Sequence, residues 1–162
     1  MLKISKLTDY GTLVLSTMAA APDTQFSASE LAKQLGLSNS IVSKILKLLS
    51  RADLLNSHRG AHGGYLLAHP VENINALDII RALEGPVALT ECSTDHNDCE
   101  IAAVCKMQSK WQVINLAIRR ALSELTLADL SKPIPKKMNI DLINALSVFN
   151  SSTTDNALEN AS

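Results

Sequence analysis

Aromatic side chains are scarce in this chain of 162 residues: they make up 3% of it, and Trp111 is the only tryptophan. A core so poor in rings must be built from Leu, Ile, Val and Ala, which favours packed helices over a β-sandwich. Long apolar runs are missing too, and none approaches the roughly 20 residues that a membrane-spanning helix requires. The opening MLKISKLTDYG carries Lys3, Lys6 and Asp9 and lacks the apolar stretch of a secretory signal, so a soluble, cytoplasmic chain is expected. Cysteine is limited to three residues, an odd number that argues against a disulfide framework. What is present is a hydrophobic content of 46%, enough to bury a core and to exclude wholesale disorder. The net charge of −1 conceals a gradient. Residues 1–70 hold seven Lys/Arg against four Asp/Glu, residues 71–110 three against seven, and residues 111–162 five of each. A mildly basic front half suits an anionic partner such as DNA.

No internal repeat is found. Thr8 can cap a first helix running to about Ala21, where Pro22-Asp23 breaks it. Ser27-Ala-Ser-Glu30 is a capping box that opens a short helix with Leu31, Ala32 and Leu35 inward, and Gly36 closes it. Ser38 caps a third helix whose buried face reads Ile41, Val42, Ile45, Leu46, Leu48 and Leu49. Its opposite face reads Ser40, Ser43, Lys44, Lys47 and Arg51, a polar and basic stripe at helical spacing. Two helices joined by a Gly turn, with such a stripe on the second, form a helix-turn-helix pattern. Leu54–Ser57 and Tyr65–Ala68 read as short strands around the flexible tip His58-Arg59-Gly60-Ala61-His62-Gly63-Gly64, which is the wing of a winged helix. The tip glycines serve turn geometry: no helix opening on Lys-Ser/Thr follows them, so this is not a phosphate loop. His58, His62 and His69 show no metal-ligand spacing. Asn75 caps a further helix, Ala76 to Glu84, ended by Gly85-Pro86.

In this pattern the third helix enters the major groove. The candidate DNA-contacting residues are Ser38, Asn39, Ser40, Ser43, Lys44, Lys47, Arg51 and Arg59. Ser40, Ser43 and Lys44 are placed to reach base edges, and Lys47 and Arg51 to touch phosphates. Arg59 at the wing tip can enter a narrow minor groove or remain a solvated loop charge.

Cys92, Cys99 and Cys105 fall within one polar, acidic stretch. Six residues separate the first two and five the last two, which is neither a C-x-x-C redox pair nor a zinc knuckle. Three thiolates before a helix can hold an iron–sulfur cluster, of the 2Fe–2S or 4Fe–4S type, with one position left for another ligand. His96 is the local candidate for that position, and three redox-active free thiols are the alternative. From about Glu100 to Leu125 a long helix is expected. Met107, Trp111, Ile114, Ile118, Ala121 and Leu125 form a heptad seam on it, and Val113, Ala117 and Leu122 widen the apolar face. This face suits a homodimer seam, or packing against its own domain. Thr126 to Leu130 reads as one more short turn before Pro133 and Pro135. Residues 138–149 are a marginal amphipathic helix, and the tail from Asn150 has the composition of a disordered segment.

These pieces together resemble the Rrf-two family of bacterial winged-helix regulators, from Met1 to about Leu130. The resemblance rests on KISKLTDYG, SASELAKQLGLSNSIVSKILKLL, HRGAHGGYLL, INALDIIRALEGP and three cysteines before a Trp-bearing helix. The opening and wing look most like the subgroup that regulates SUF-type iron–sulfur assembly. The resemblance implies a homodimeric transcription regulator that binds pseudo-palindromic double-stranded DNA and carries an iron–sulfur cluster on Cys92, Cys99 and Cys105. IscR-like members place a fourth-ligand histidine three residues after the last cysteine, where this chain has Gln108. NsrR-like members use an aspartate from the first helix of the partner subunit, which matches Asp9 in LTDYG. At the third helix, Ser40 matches a base-contacting position, and Ser43 stands where IscR-like members have glutamate. Arg59 matches a wing arginine that enters the minor groove.

The expected fold is mainly α: a winged helix-turn-helix domain with a short β-hairpin wing plus a long C-terminal dimerisation helix. Its divisions are 1–84 for DNA binding, 85–106 for the cluster-binding cysteines, 107–130 for dimerisation and 131–162 for a flexible tail. The expected function is regulation of iron–sulfur assembly genes through cluster status. Rivals are a nitric-oxide or thiol-redox sensor of the same fold, and a winged-helix protein-interaction module. No constellation of acid–base groups points to an enzyme.

Overall fold

The computed structural model describes residues 4–60, 63–88 and 107–132. Helix α1 spans Lys6–Ala19, and its cap is Ser5, whose hydroxyl accepts from the Leu7 amide at 3.2 Å. The expectation of Thr8 as cap is therefore corrected: Thr8 lies inside the helix, buried, and its hydroxyl donates to the Glu84 carboxylate. The helix also ends two residues before Ala21. Helix α2 spans Ala28–Leu35 and opens on the expected capping box, with Ser27 and Glu30 each bonded to the other's backbone amide. Those bonds, the Ser27 amide first and its hydroxyl second, hold the Glu30 carboxyl below its ordinary range. Gly36 ends α2 at φ +66°, a left-handed conformation that glycine adopts without steric cost. Three residues later α3 begins, Asn39–Arg51, capped by Ser38.

Val42, Ile45, Leu46 and Leu49 of α3 are fully buried, as the period predicts. Two residues assigned to that face sit at its edge: Leu48 is half-buried and Ile41 is 36% exposed. Both lie on the same flank of the helix, about 90–110° from the centre of the buried stripe at 100° per residue. Strand β1 is Leu55–His58 and β2 is Gly64–Leu67, paired antiparallel with Leu55 opposite Leu67 and His58 opposite Gly64. Both strands differ from expectation by one residue in their bounds. A two-stranded hairpin is marginal alone, and this one gains a third partner. Phe26, in the link before α2, exchanges two backbone bonds of 2.9 and 2.8 Å with Tyr65. Gly64 makes that approach possible, since a Cβ there would stand 2.7 Å from the Phe26 carbonyl oxygen.

Helix α4, Ala76–Glu84, is capped by Asn75 as expected and ends at Gly85. Its Ile79 and Leu83 join Val14, Leu15 and Met18 of α1 and the buried face of α3 in one core. Gly11 lets α1 approach closely: a Cβ there would collide with the Leu83 side chain. Helix α5 spans Gln108–Glu124 and packs on α4. As expected, the long helix ends close to Leu125, at Glu124, and the short turn expected over Thr126–Leu130 is a separate helix α6, Leu127–Leu130, on a second capping box between Thr126 and Asp129, so the 107–130 division holds two helices. The reason is local, because the S/T-x-x-D pattern of Thr126-Leu-Ala-Asp129 favours a new helix start over continuation. Here the backbone turns back on the base of α4. Ala76 donates to the Leu125 carbonyl at 2.8 Å, Leu127 donates to that of Ile74 at 2.7 Å, and the Leu127 side chain is fully buried. The described residues all lie in one compact unit that ends at Lys132. None of their helices is long and apolar enough to cross a membrane. The fold is thus mainly helical with a two-stranded wing, as the sequence predicts.

Candidate nucleic-acid interface

The order α2, turn, α3, β1, β2 places a recognition helix directly before a hairpin wing. Helix α3 contains no acidic residue. Its outward face carries Ser40, Lys44, Lys47 and Arg51, all exposed, with Ser43 half-buried beside them. Ser38 and Asn39, both exposed, mark the start of the helix. From Ser40 to Arg51 the stripe runs about 16 Å at 1.5 Å per residue, a length comparable to the width of a major groove.

Hydroxyl groups gather at its leading end. Ser38 Oγ accepts from the Ile41 amide at 3.4 Å and lies 3.2 Å from Ser40 Oγ. The same arrangement stands at the start of α2, where Ser27 Oγ and Ser29 Oγ are 3.1 Å apart. Ser29, Ser38 and Ser40 are exposed, and hydroxyls there suit contact with phosphate oxygens or base edges. Ile41, which periodicity assigned to the core, is exposed on the same first turn. An aliphatic side chain there suits a thymine methyl group.

Electrostatics favours an anion. The ion pairs among the described residues are Arg120–Glu124 at 3.1 Å and Lys132–Asp129 at 3.9 Å, both away from α3. Lys44, Lys47, Arg51 and Arg59 therefore have no carboxylate partner among the described residues. Arg51 lies in the last turn of α3, where a cation also complements the helix dipole. Arg59 directly follows β1 and is exposed. The tip is shaped by Gly60 at φ +122° and by a Gly63 amide bond to the Gly60 carbonyl at 2.9 Å.

The cysteine candidates Cys92, Cys99 and Cys105, and His96, lie outside the described residues. Asp9 lies within them, exposed in the first turn of α1 and without an ion pair among them. No group of three metal-capable side chains occurs among the described residues. Gln108, the first residue of α5, is half-buried.

Helix α5 leaves its apolar side open. Met107, Trp111, Ile114, Ala121 and Leu125 of the expected seam are exposed, and Ile118 is half-buried. Val113 and Leu116 add to the exposed apolar surface, at 45% and 61% exposure. The single buried residue of α5 is Asn115. The seam and the flank that meets α4 are therefore neighbouring stripes of one helix.

Sequence reasoning missed two features of this region. Its pairing of Phe26 with the wing and the contact between Thr8 and Glu84 both join distant residues, and no local pattern announces either.

The comparisons agree with this geometry. Residues 4–133 match the Rrf2 family, described as iron-dependent transcriptional regulator. Protein rrf2 of Nitratidesulfovibrio vulgaris is 35% identical over 132 residues, 81% of this chain and 88% of that protein. CymR, the global cysteine regulator of B. subtilis, is 33% identical with a TM-score of 0.60, over 81% of this chain and 97% of that one. IscR of T. potens is 30% identical with a TM-score of 0.58, over 80% of this chain and 85% of that one. With the family profile covering residues 4–133 and a relative 35% identical over 81% of its length, this chain belongs to the Rrf2 family of transcriptional regulators.

Proposed function

We propose that this regulator binds a pseudo-palindromic operator as a homodimer and reports the state of an iron–sulfur cluster, controlling SUF-type iron–sulfur assembly genes. The observation that carries the DNA half is the stripe Ser40, Lys44, Lys47 and Arg51, exposed and unpaired among the described residues, beside a wing that presents Arg59. Ser38, Asn39, Ser40 and Ser43 read bases or position the helix. Lys44 acts at base edges, Lys47 and Arg51 hold phosphates, and Arg59 takes a narrow minor groove. The open seam of α5 around Trp111 and Ile114 covers its counterpart on a second chain, which removes an apolar surface that a monomer would leave in water.

The sensing half rests on donor chemistry. Three thiolates, Cys92, Cys99 and Cys105, with a carboxylate at the fourth position, suit iron in a cluster better than hard cations. Asp9 fits that fourth role because it is anionic, exposed and without an ion pair among the described residues. Supplied from the second chain, it would make the site depend on the dimer. Bound there, the cluster supplies an oxidisable and removable group whose presence biases the spacing of the two α3 helices.

The test is anaerobic reconstitution with iron and sulfide counts, absorption spectra and operator binding. Wild type should gain visible absorbance, and Cys92→Ala, Cys99→Ala and Cys105→Ala should each lose it while keeping the fold. A wild-type chain that stays colourless and iron-free overturns the cluster. Operator affinity that then follows thiol oxidation assigns the site to redox sensing.

A further inference from the structure

A cleft of about 380 Å³ opens between α4 and the joint where α3 passes into the wing. Its apolar lining comes from Ala52, Leu54 and Ala82. Ala52 is the C-cap of α3, directly after Arg51 of the basic stripe, and Leu54 precedes β1. The joint is closely bonded. The Ala52, Asp53 and Leu54 amides donate to the carbonyls of Leu48, Ser50 and Leu49 at 3.2, 3.3 and 3.0 Å, and Asp53 adopts a left-handed φ of +58°. The Leu54 carbonyl accepts from the Ala68 amide at 3.1 Å, which ties in the returning end of the wing. A molecule in this cleft therefore touches the recognition helix and the wing at their common root.

The charged groups of the cleft are Asp78 and Arg81 of α4, with His69 and Asn73 as further polar neighbours. Asp78 and Arg81 stand three residues apart, a spacing that puts Cβ atoms about 5–6 Å from each other. They form no ion pair, whereas Asp129 and Lys132, at the same spacing and in the same order, pair at 3.9 Å. Arg120 and Glu124 pair as well, at 3.1 Å. Both closed pairs are well exposed, while Asp78 is half-buried, where a nearby cation is screened less.

Asp78 departs from a second pattern. It is the third residue of α4, and its amide donates to Asn75 Oδ1 at 2.9 Å. In α2 and α6 the acid at that position, Glu30 or Asp129, reaches back to the cap amide and completes a capping box. The Asp78 carboxylate does not, and it has no hydrogen bond or ion pair among the described residues. Each charge also complements the dipole of α4, the acid in its first turn and the base in its last. That role does not require the two to line one cleft unpaired.

We propose that this cleft is an effector site for a small zwitterion, a free α-amino acid. The planar fork of the Arg81 guanidinium matches the two oxygens of its carboxylate, and Asp78 holds its ammonium. Ala52, Leu54 and Ala82 offer its side chain an apolar bed, and the volume lies at the lower end of ligand pockets, about 300–1,000 Å³. None of these residues belongs to the DNA-facing stripe, so the ligand acts on the joint rather than by competing with the operator. The effector role rests on the DNA reading of α3 and draws nothing from the cysteines.

The experiment titrates the full-length protein with glycine and the free L-amino acids singly, with acetate and methylammonium as single-charge controls. Calorimetry and the amide resonances of Ala52, Leu54 and Asp78 report binding. At least one amino acid should bind saturably, shift these resonances and exceed both controls in affinity by about tenfold or more. Arg81→Gln and Asp78→Asn should each weaken it about tenfold and keep the fold, since neither side chain has a partner to lose. Operator affinity with and without that amino acid should differ by about 5- to 150-fold, and the difference should vanish in both variants. No saturable binding by any amino acid, or binding that both variants retain at wild-type strength, overturns the site. Binding as expected with unchanged operator affinity overturns the effector role. A protein that binds no duplex overturns the DNA reading instead, and the titration still decides the site.

Discussion

Neutralising a single cation on α3 tests the DNA assignment quantitatively. Lys47 is the cleanest choice, because it is exposed, unpaired among the described residues and clear of the helix end where Arg51 also serves the dipole. If Lys44, Lys47, Arg51 and Arg59 each displace one condensed counterion, whether they lie against a phosphate, a base edge or the minor groove, a pair of chains makes about eight such contacts. At about −0.9 per contact, log affinity should fall against log salt with a slope near −7. Lys47→Gln removes one contact per chain, which flattens the slope to about −5. Over a fourfold rise in salt, wild type then loses roughly 10⁴-fold in affinity and the variant roughly 10³-fold. Stability should hardly change, since exposed substitutions away from special features stay within about 0.5 kcal/mol. Fluorescence anisotropy on a labelled operator and on a scrambled duplex, across a salt series, measures both slopes. The reasoning requires the same flattening on both duplexes, because phosphates carry no sequence. An unchanged slope, or a loss confined to the operator, refutes the assignment of Lys47 to the backbone.

Three further outcomes are expected. Gly64→Ala forces a Cβ to within 2.7 Å of the Phe26 carbonyl, and since that neighbour is backbone, the cost should be about 1–3 kcal/mol, seen as a lower Tm; an unchanged Tm removes the Phe26–Tyr65 pairing from the wing's support. Ile114→Glu places a charge on the open seam of α5, so sedimentation should show monomer or aggregate and operator binding should fall; a folded monomer with wild-type affinity refutes the seam. The carboxyls of Glu30, Glu84 and Asp129 are all held below their ordinary values, Glu84 by bonds from Ser5 and then Thr8, and Asp129 by the Thr126 hydroxyl and then its amide. Ionisation therefore favours the fold: the contribution is complete at neutral pH and is lost as pH falls below about 4.5 and through the folded-state values. Urea midpoints of Glu30→Gln should decline less than wild type between about pH 6 and pH 3, and parallel declines would refute this.

Much of this molecule is written locally. The caps Ser27, Ser38 and Asn75, the stop at Gly36 and the inward residues of α3 follow from patterns within one or two helical turns. Errors arose where two local readings competed and a distant residue decided. Thr8 fits a cap by its local pattern; Glu84, 76 positions away, engages the Thr8 hydroxyl, and Ser5 caps the helix instead. Ile41 fits the apolar period of α3 but lies on its flank, where core and solvent meet. The break between α5 and α6 was legible in Thr126-Leu-Ala-Asp129, although the apolar period ran on through it to Leu125. Pairing of Phe26 with Tyr65 had no signal, because a single backbone bridge leaves no periodicity. For the outward polar and basic stripe of α3 the sequence sufficed, since a helical wheel needs only the period and the caps.

The return of the chain after α5 has a consequence for the DNA that this regulator can accept. Leu125 and Leu127 bond to the backbone around Asn75, so the far end of α5 is stitched to the base of α4, which itself packs on α3. Among the described residues these backbone bonds join the two helix ends directly. If α5 joins two chains, the distance and angle between their reading heads are built into the fold, like the gap between the jaws of a fixed caliper. Each added base pair would turn one half-site by about 35° and carry it about 3.4 Å along the axis. Operators of a fixed-gauge reader should therefore vary freely in their central bases and hardly at all in their central length.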